Sequence, residues 1–203
     1  MNNKLEEKPN VIFIYTDDLG YGSLSCYGAD KIDTPNIDRL TQEGIRFDQA
    51  YVPTSVCTPS RYALITGEYS WRTPHGPNVV ANDPLMIDTN KLTLADVFKK
   101  AGYTTGGFGK WHLGLGDEEE TDYTKPLRPG PNDLGFDYYF GLPVGHFFPP
   151  YVYFENDHVV NNDPDDPIHI EYGDGFPEQK GGKKARYNKE KIRLNSPIKF
   201  VIL

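Results

Sequence analysis

Cysteine is nearly missing from this chain: Cys26 and Cys57 are the two in 203 residues. Two thiols make no disulfide framework, and sequence alone does not bring them close enough to pair or keep them apart. No apolar run is long enough to span a bilayer, and the start, Met1-Asn2-Asn3-Lys4-Leu5-Glu6-Glu7-Lys8-Pro9, has no apolar stretch of the signal-peptide kind. As written, the chain reads as cytoplasmic with no membrane partner; a trimmed or misassigned start would make it periplasmic or secreted. Positive charge is in deficit, 21 Lys and Arg against 29 Asp and Glu for a net charge of −8. That balance argues against nucleic acid as a partner and requires any anionic ligand to be held by local cations. Internal repeats are also missing. What is present, 25% charged and 13% aromatic residues over this length, suits one medium globular domain with a real core.

The stretch that organises the rest is Val56-Cys57-Thr58-Pro59-Ser60-Arg61, continuing into Tyr62-Ala63-Leu64-Ile65-Thr66-Gly67. Proline at the start of a helix costs no hydrogen bond, so Pro59 marks a first turn. A side chain there meets unpaired N–H groups and the positive end of the helix dipole, which favours anion chemistry. Arg61, four positions after Cys57, shares its face.

Before it, Asn10-Val11-Ile12-Phe13-Ile14-Tyr15-Thr16 reads as a buried parallel strand. It stops at Asp17-Asp18, then Leu19-Gly20-Tyr21-Gly22. Two carboxylates at the carboxyl end of such a strand stand where open α/β sheets bind ligands, and their hard oxygens suit Ca²⁺ or Mg²⁺; a solvated Asp-Asp turn is the plainer alternative. Thr34 to Leu40 starts a helix, with Thr34 as N-cap, Pro35 at its first position and Gly44 near its stop. Ile45 to Val52 alternates like a second strand. Leu92 to Gly102 is an amphipathic helix ended by glycine, and Tyr103 to Phe108 returns as a strand towards Gly109-Lys110-Trp111-His112-Leu113-Gly114. Alternating strand and helix give an α/β domain. Further on, Asp117 to Glu120 and Asn156 to Pro167 read as loops, and Lys180-Gly181-Gly182-Lys183-Lys184 as a flexible basic linker. The apolar run Ile198 to Leu203 needs burial. His75, His146, His158 and His169 lack metal-ligand spacing and read as structural or exposed.

Taken singly, Cys57 could be a buried structural thiol, Arg61 a surface charge, and Lys110 and His112 a polar strand end. Together with Asp17-Asp18, in this order on one chain, they form a much rarer set. The sequence here resembles the N-terminal half of the type I sulfatases, of the alkaline phosphatase superfamily. The likeness runs from about Pro9 to about Tyr153, through Asp17 to Gly22, Thr34 to Leu40, the Cys57 segment with Thr66-Gly67, Gly109 to Gly114 and Gly135 to Gly141.

The resemblance implies an α/β/α sandwich of the alkaline-phosphatase kind with a mostly parallel central sheet, truncated. It implies a sulfuric ester hydrolase releasing sulfate from an aryl or carbohydrate ester. A maturase partner would convert Cys57 to Cα-formylglycine, whose hydrate supplies one hydroxyl to attack sulfur and a second that lets sulfate leave. Asp17, Asp18 and the modified Cys57 would bind Ca²⁺, with Mg²⁺ second to it. Arg61 would steady the diol, Lys110 would bind diol and sulfate oxygens, and His112 would act as the base.

Residues 1–155 thus read as the N-terminal part of a catalytic domain, and 156–203 as loop, linker and truncated continuation. Sulfatases of this kind are roughly twice as long or more. Their later half adds an Asp-Asn pair at the metal, a second histidine and another lysine; no suitable Asp-Asn follows here, and Gly145 stands where many have a serine. Two alternatives stay open: a non-catalytic remnant or binding domain of this fold, and a phosphonate or phosphate monoester hydrolase of the same superfamily. Activity of the 203-residue chain on its own is expected to be small.

Overall fold

The computed structural model describes residues 8–73, 79–80, 82–187 and the backbone of 200–202. Its centre is a six-stranded mixed sheet of β1 (Ile14–Thr16), β2 (Gly106–Lys110), β3 (Tyr138–Leu142), β4 (Phe154–Glu155), β5 (His158–Val159) and β8 (Phe200–Ile202), in the spatial order β1-β8-β2-β3-β4-β5. A separate hairpin pairs β6 (His169–Glu171) with β7 (Glu178–Lys180). The helices are α1 (Pro35–Glu43), α2 (Cys57–Thr66) and α3 (Leu94–Lys100). The expected α/β class is the one found.

Sheet direction is what places the site. β8 runs antiparallel to both β1 and β2, so those two point the same way, and β3 is parallel to β2. The carboxyl ends of β1, β2 and β3 therefore share one edge, where open α/β sheets carry their ligands. Asp17, Lys110 and the loop after Leu142 all emerge there. β2 and β3 approach closely at two glycines: a Cβ on Gly141 would stand 1.7 Å from the Gly109 carbonyl oxygen.

The core lies over β2 to β5. Trp111, Tyr139 and Phe154 are buried to within 2% of full burial, with ring centroids 5.4 Å apart for Trp111–Tyr139 and 5.2 Å for the stacked Tyr139–Phe154. Leu113, Leu115, Leu127 and Leu134 complete this layer, each contributing roughly 1.5–3 kcal/mol by leaving water. Trp111 Nε1 donates to the Gly114 carbonyl at 2.8 Å, which pins the turn from Trp111 to Gly114.

Several expectations change. Of the run Asn10 to Thr16, expected as a buried parallel strand, Ile14–Thr16 alone forms β1, paired antiparallel with β8, and Ile12 is 72% exposed because no layer among the described residues covers it. Ile45 to Val52 forms no strand; its alternation has no face to bury against, and Tyr51 is exposed. In α1, Pro35 and Gly44 stand as expected, but Thr34 makes no side-chain cap bond; its Oγ1 is 2.7 Å from Ser25 Oγ. α3 opens on a capping box between Thr93 and Asp96. Within the expected loop Asn156 to Pro167, β5 folds back on β4 through Asn156, at φ 54°. Lys180 to Lys184 is a tight turn, not a linker: Gly182 N–H donates to the Asp166 carbonyl, and Lys184 pairs with Asp163 at 2.7 Å. Of the apolar terminal run, Phe200–Ile202 fills the slot between β1 and β2, while Ile198, Lys199 and Leu203 lie outside the described residues. Cys26 and Cys57 are both free thiols. Among the described residues no helix is long and apolar enough to cross a membrane.

Candidate active site

Helix α2 begins at Cys57, with Val56 as its extended N-cap, and ends at Gly67, whose φ of 70° closes it through a bond to the Ala63 carbonyl. One turn separates Cys57 from Arg61, so both reach the same carboxylate from one helix face. Cys57 Sγ lies 3.7 Å from Asp17 Oδ1, and Arg61 Nη2 lies 3.5 Å from Asp17 Oδ2. From β2, Lys110 Nζ reaches Asp17 Oδ2 at 3.0 Å. The side chains of Asp17, Arg61 and Lys110 are all at least 94% buried. Charges removed from water this far need partners, and here two cations share one carboxylate. These three side chains together carry one net positive charge, suited to an anion.

Arg61 is also fixed by its other amino group, which donates to the Lys110 carbonyl at 2.6 Å, while its Nε has no partner among the described residues. Tyr15 and Ser60 hydroxyls make a short hydrogen bond that ties β1 to α2. The cleft beside these groups has a volume of about 430 Å³ and is lined by Tyr15, Asp17, Asp18, Cys57, Ser60 and Arg61 among others. Asp18 is exposed, with a φ of 59°, so the two adjacent carboxylates take different roles: one buried among cations, one facing the cleft.

His112 joins through two contacts that the sequence did not disclose. Thr58 Oγ1 donates to the His112 carbonyl at 3.1 Å, linking α2 to the end of β2. His112 Nε2 lies 3.0 Å from the Val79 carbonyl, which only accepts, so Nε2 carries the proton. The lone pair is then on Nδ1, which is buried and unpartnered among the described residues. Burial first, and the charge of Lys110 second, push the imidazole down to about 4, so it is neutral near pH 7. A neutral ring with a free lone pair is set up to accept a proton.

Asp17, Cys57, Arg61 and Lys110 are thus in direct contact, His112 is tied to them through Thr58, and Asp18 lines the same cleft. His158 and His169 are exposed and lie elsewhere, and His75 is outside the described residues. As metal donors, Asp17 and Asp18 fit a hard cation in kind, but among the described residues no group of three His, Cys, Asp or Glu side chains converges.

The sulfatase family model matches residues 9–184. An N-acetylgalactosamine-6-O-sulfatase of Bacteroides thetaiotaomicron is 48% identical over 84% of this chain and 34% of its own. Human arylsulfatase A is 42% identical over 68% of this chain and 26% of its own. The fold superposes with a TM-score of 0.86 and 40% identity on a structure from the metabolism of multiple glycosaminoglycans by Bacteroides thetaiotaomicron, covering 91% of this chain and 45% of that one. A second structure, Ps i-CgsB in complex with k-i-k-neocarrahexaose, gives a TM-score of 0.59 at 29% identity, over 72% of this chain and 36% of its own. The chain spans about a third of the N-acetylgalactosamine-6-O-sulfatase it matches and a quarter of the arylsulfatase. With its buried cation pair, its cysteine-led helix and nearly the whole of its described length on one family model, the chain belongs to the sulfatase family.

Proposed function

We propose that this chain carries the nucleophile and cation half of a sulfuric ester hydrolase acting on a carbohydrate sulfate. The observation that carries the reading is the convergence of Cys57, Arg61 and Lys110 on Asp17. The sugar preference follows the 48% identity to an N-acetylgalactosamine-6-O-sulfatase, against lower identity to the arylsulfatases.

Each residue has a task in that reaction. Lys110 and Arg61 hold sulfate oxygens, their charge fixed in place before negative charge builds on the ester. His112 takes a proton at Nδ1, the atom that the Val79 carbonyl leaves free. Asp17 and Asp18 would hold Ca²⁺, a Lewis acid towards sulfate oxygen. Converted to formylglycine, Cys57 would supply a hydrated aldehyde, one hydroxyl to attack sulfur and a second that would let sulfate leave as the aldehyde re-forms. Asp17 and Asp18 fall short of the about six to eight oxygens Ca²⁺ takes, so further ligands are needed for full activity.

That shortfall also favours a second reading, a binding domain of the same fold without turnover. Co-expression with a formylglycine-generating maturase and peptide mass spectrometry separates the two. The hydrolase reading expects a mass decrease at Cys57, lost in Pro59→Ala and Arg61→Ala. An unmodified thiol, beside a converted control sulfatase, would favour the binding domain.

A further inference from the structure

We infer that Phe147, Phe148 and Phe176 form the platform on which the sugar ring of the substrate stacks, next to the cation that holds its sulfate. This rests on the carbohydrate sulfatase reading and extends it from the sulfate to the alcohol that bears it.

The loop after β3 is held against the site by its own backbone: Trp111 N–H donates to the Leu142 carbonyl and His112 N–H to the Pro143 carbonyl, both at 2.9 Å. Gly145 follows, and a Cβ there would stand 3.5 Å from Lys110 Nζ and 3.4 Å from the Phe147 ring. The ring stands next to the lysine, with Lys110 Nζ 6.0 Å from the Phe147 centroid. From Phe147 the rings continue outward. Phe148 is 5.1 Å away, and Phe176, from the segment between β6 and β7, stacks on Phe148 at 4.7 Å and 14°. Two distant segments thus build one aromatic surface that starts at a site cation.

This surface is not core. Phe147 and Phe176 remain 37% and 58% exposed, although aromatic rings gain much by burial. An ester whose sulfate meets Lys110 carries its alcohol one bond further out, towards Phe147. The C–H faces of a pyranose are weakly positive and complement the negative face of a phenyl ring, as cations do. Polar groups edge the same surface: the His146 ring is 5.1 Å from that of Phe147, and the Tyr151 hydroxyl lies at the Phe147 carbonyl. A hydroxylated ring suits such an edge better than a bare aryl group.

Isothermal titration calorimetry on the full chain tests this with three probes: inorganic sulfate, N-acetylgalactosamine 6-sulfate and 4-nitrophenyl sulfate. Phe147→Leu and Phe176→Ala keep the fold, checked by thermal melting, and Phe147→Leu keeps apolar bulk without the ring. Both should weaken the sugar sulfate about five- to tenfold while leaving inorganic sulfate unchanged. Sugar sulfate binding equal in wild type and both variants overturns the platform alone. An aryl sulfate losing as much as the sugar sulfate, or more, also overturns it, as the surface would then not be selecting a sugar. Failure of wild type to bind any of the three overturns the sulfatase reading, and the platform with it.

Discussion

His112 Nε2 donates to the Val79 carbonyl across 3.0 Å, and this one bond decides which ring nitrogen is left to do chemistry. It joins the end of β2 to a segment 33 residues earlier. The ring is held neutral because burial and the Lys110 charge oppose its protonation.

A stability dependence on pH follows. The native imidazole titrates at about 4, the unfolded one near 6.5, so below 6.5 the unfolded chain binds a proton that the native chain refuses. Stability contributed by neutral His112 is present above pH 6.5 and is lost as pH falls towards 4, by on the order of 3 kcal/mol in all. Urea midpoints at pH 7 and pH 5 should show the loss, and His112→Gln should flatten it. An unchanged slope in that variant would assign the effect to other groups.

The Lys110–Asp17 pair sets a second expectation. Removing the lysine takes one of two cations from a buried carboxylate and leaves Arg61 at 3.5 Å. Lys110→Ala should cost about 2–4 kcal/mol in urea unfolding, and adding Asp17→Asn should recover part of it. A single variant as stable as wild type would mean that the pair is hydrated.

The Gly109–Gly141 contact ties fold to site. Gly141→Ala puts a methyl group within 1.7 Å of a carbonyl oxygen, which the strands relieve only by separating. Because Lys110 ends β2, the change should both destabilise the chain by several kcal/mol and displace the lysine. Wild-type unfolding midpoints and sulfate binding in Gly141→Ala would contradict the close approach.

What was legible in the sequence was local. Cys57 and Arg61 are one helical turn apart, and that spacing alone puts them on one face. Pro35 and Gly44 bound α1 because their backbone preferences act within a few residues. Long-range partners left no such mark. The Val79 carbonyl is a backbone group that any residue supplies, and the Thr58 hydroxyl meets His112 only through the sheet edge. Ile45 to Val52 alternates like a strand, yet pairing needs a neighbour, and none among the described residues takes it. The placement of β8 between β1 and β2 depends on register across most of the chain. Phe147 stands in an aromatic stretch that reads equally well as core.

In the proposed function, Cys57, Arg61, Lys110 and His112 do the chemistry of a sulfatase when the metal site is complete. Its most direct test is sulfate release from N-acetylgalactosamine 6-sulfate by the chain, with Cys57 converted, joined to the remaining sequence of the 48% identical Bacteroides thetaiotaomicron relative. The joined protein should release sulfate in a Ca²⁺-dependent way, the chain alone should release little, and Cys57→Ala none. No release from a folded joined protein whose Cys57 is fully converted would contradict the proposed function.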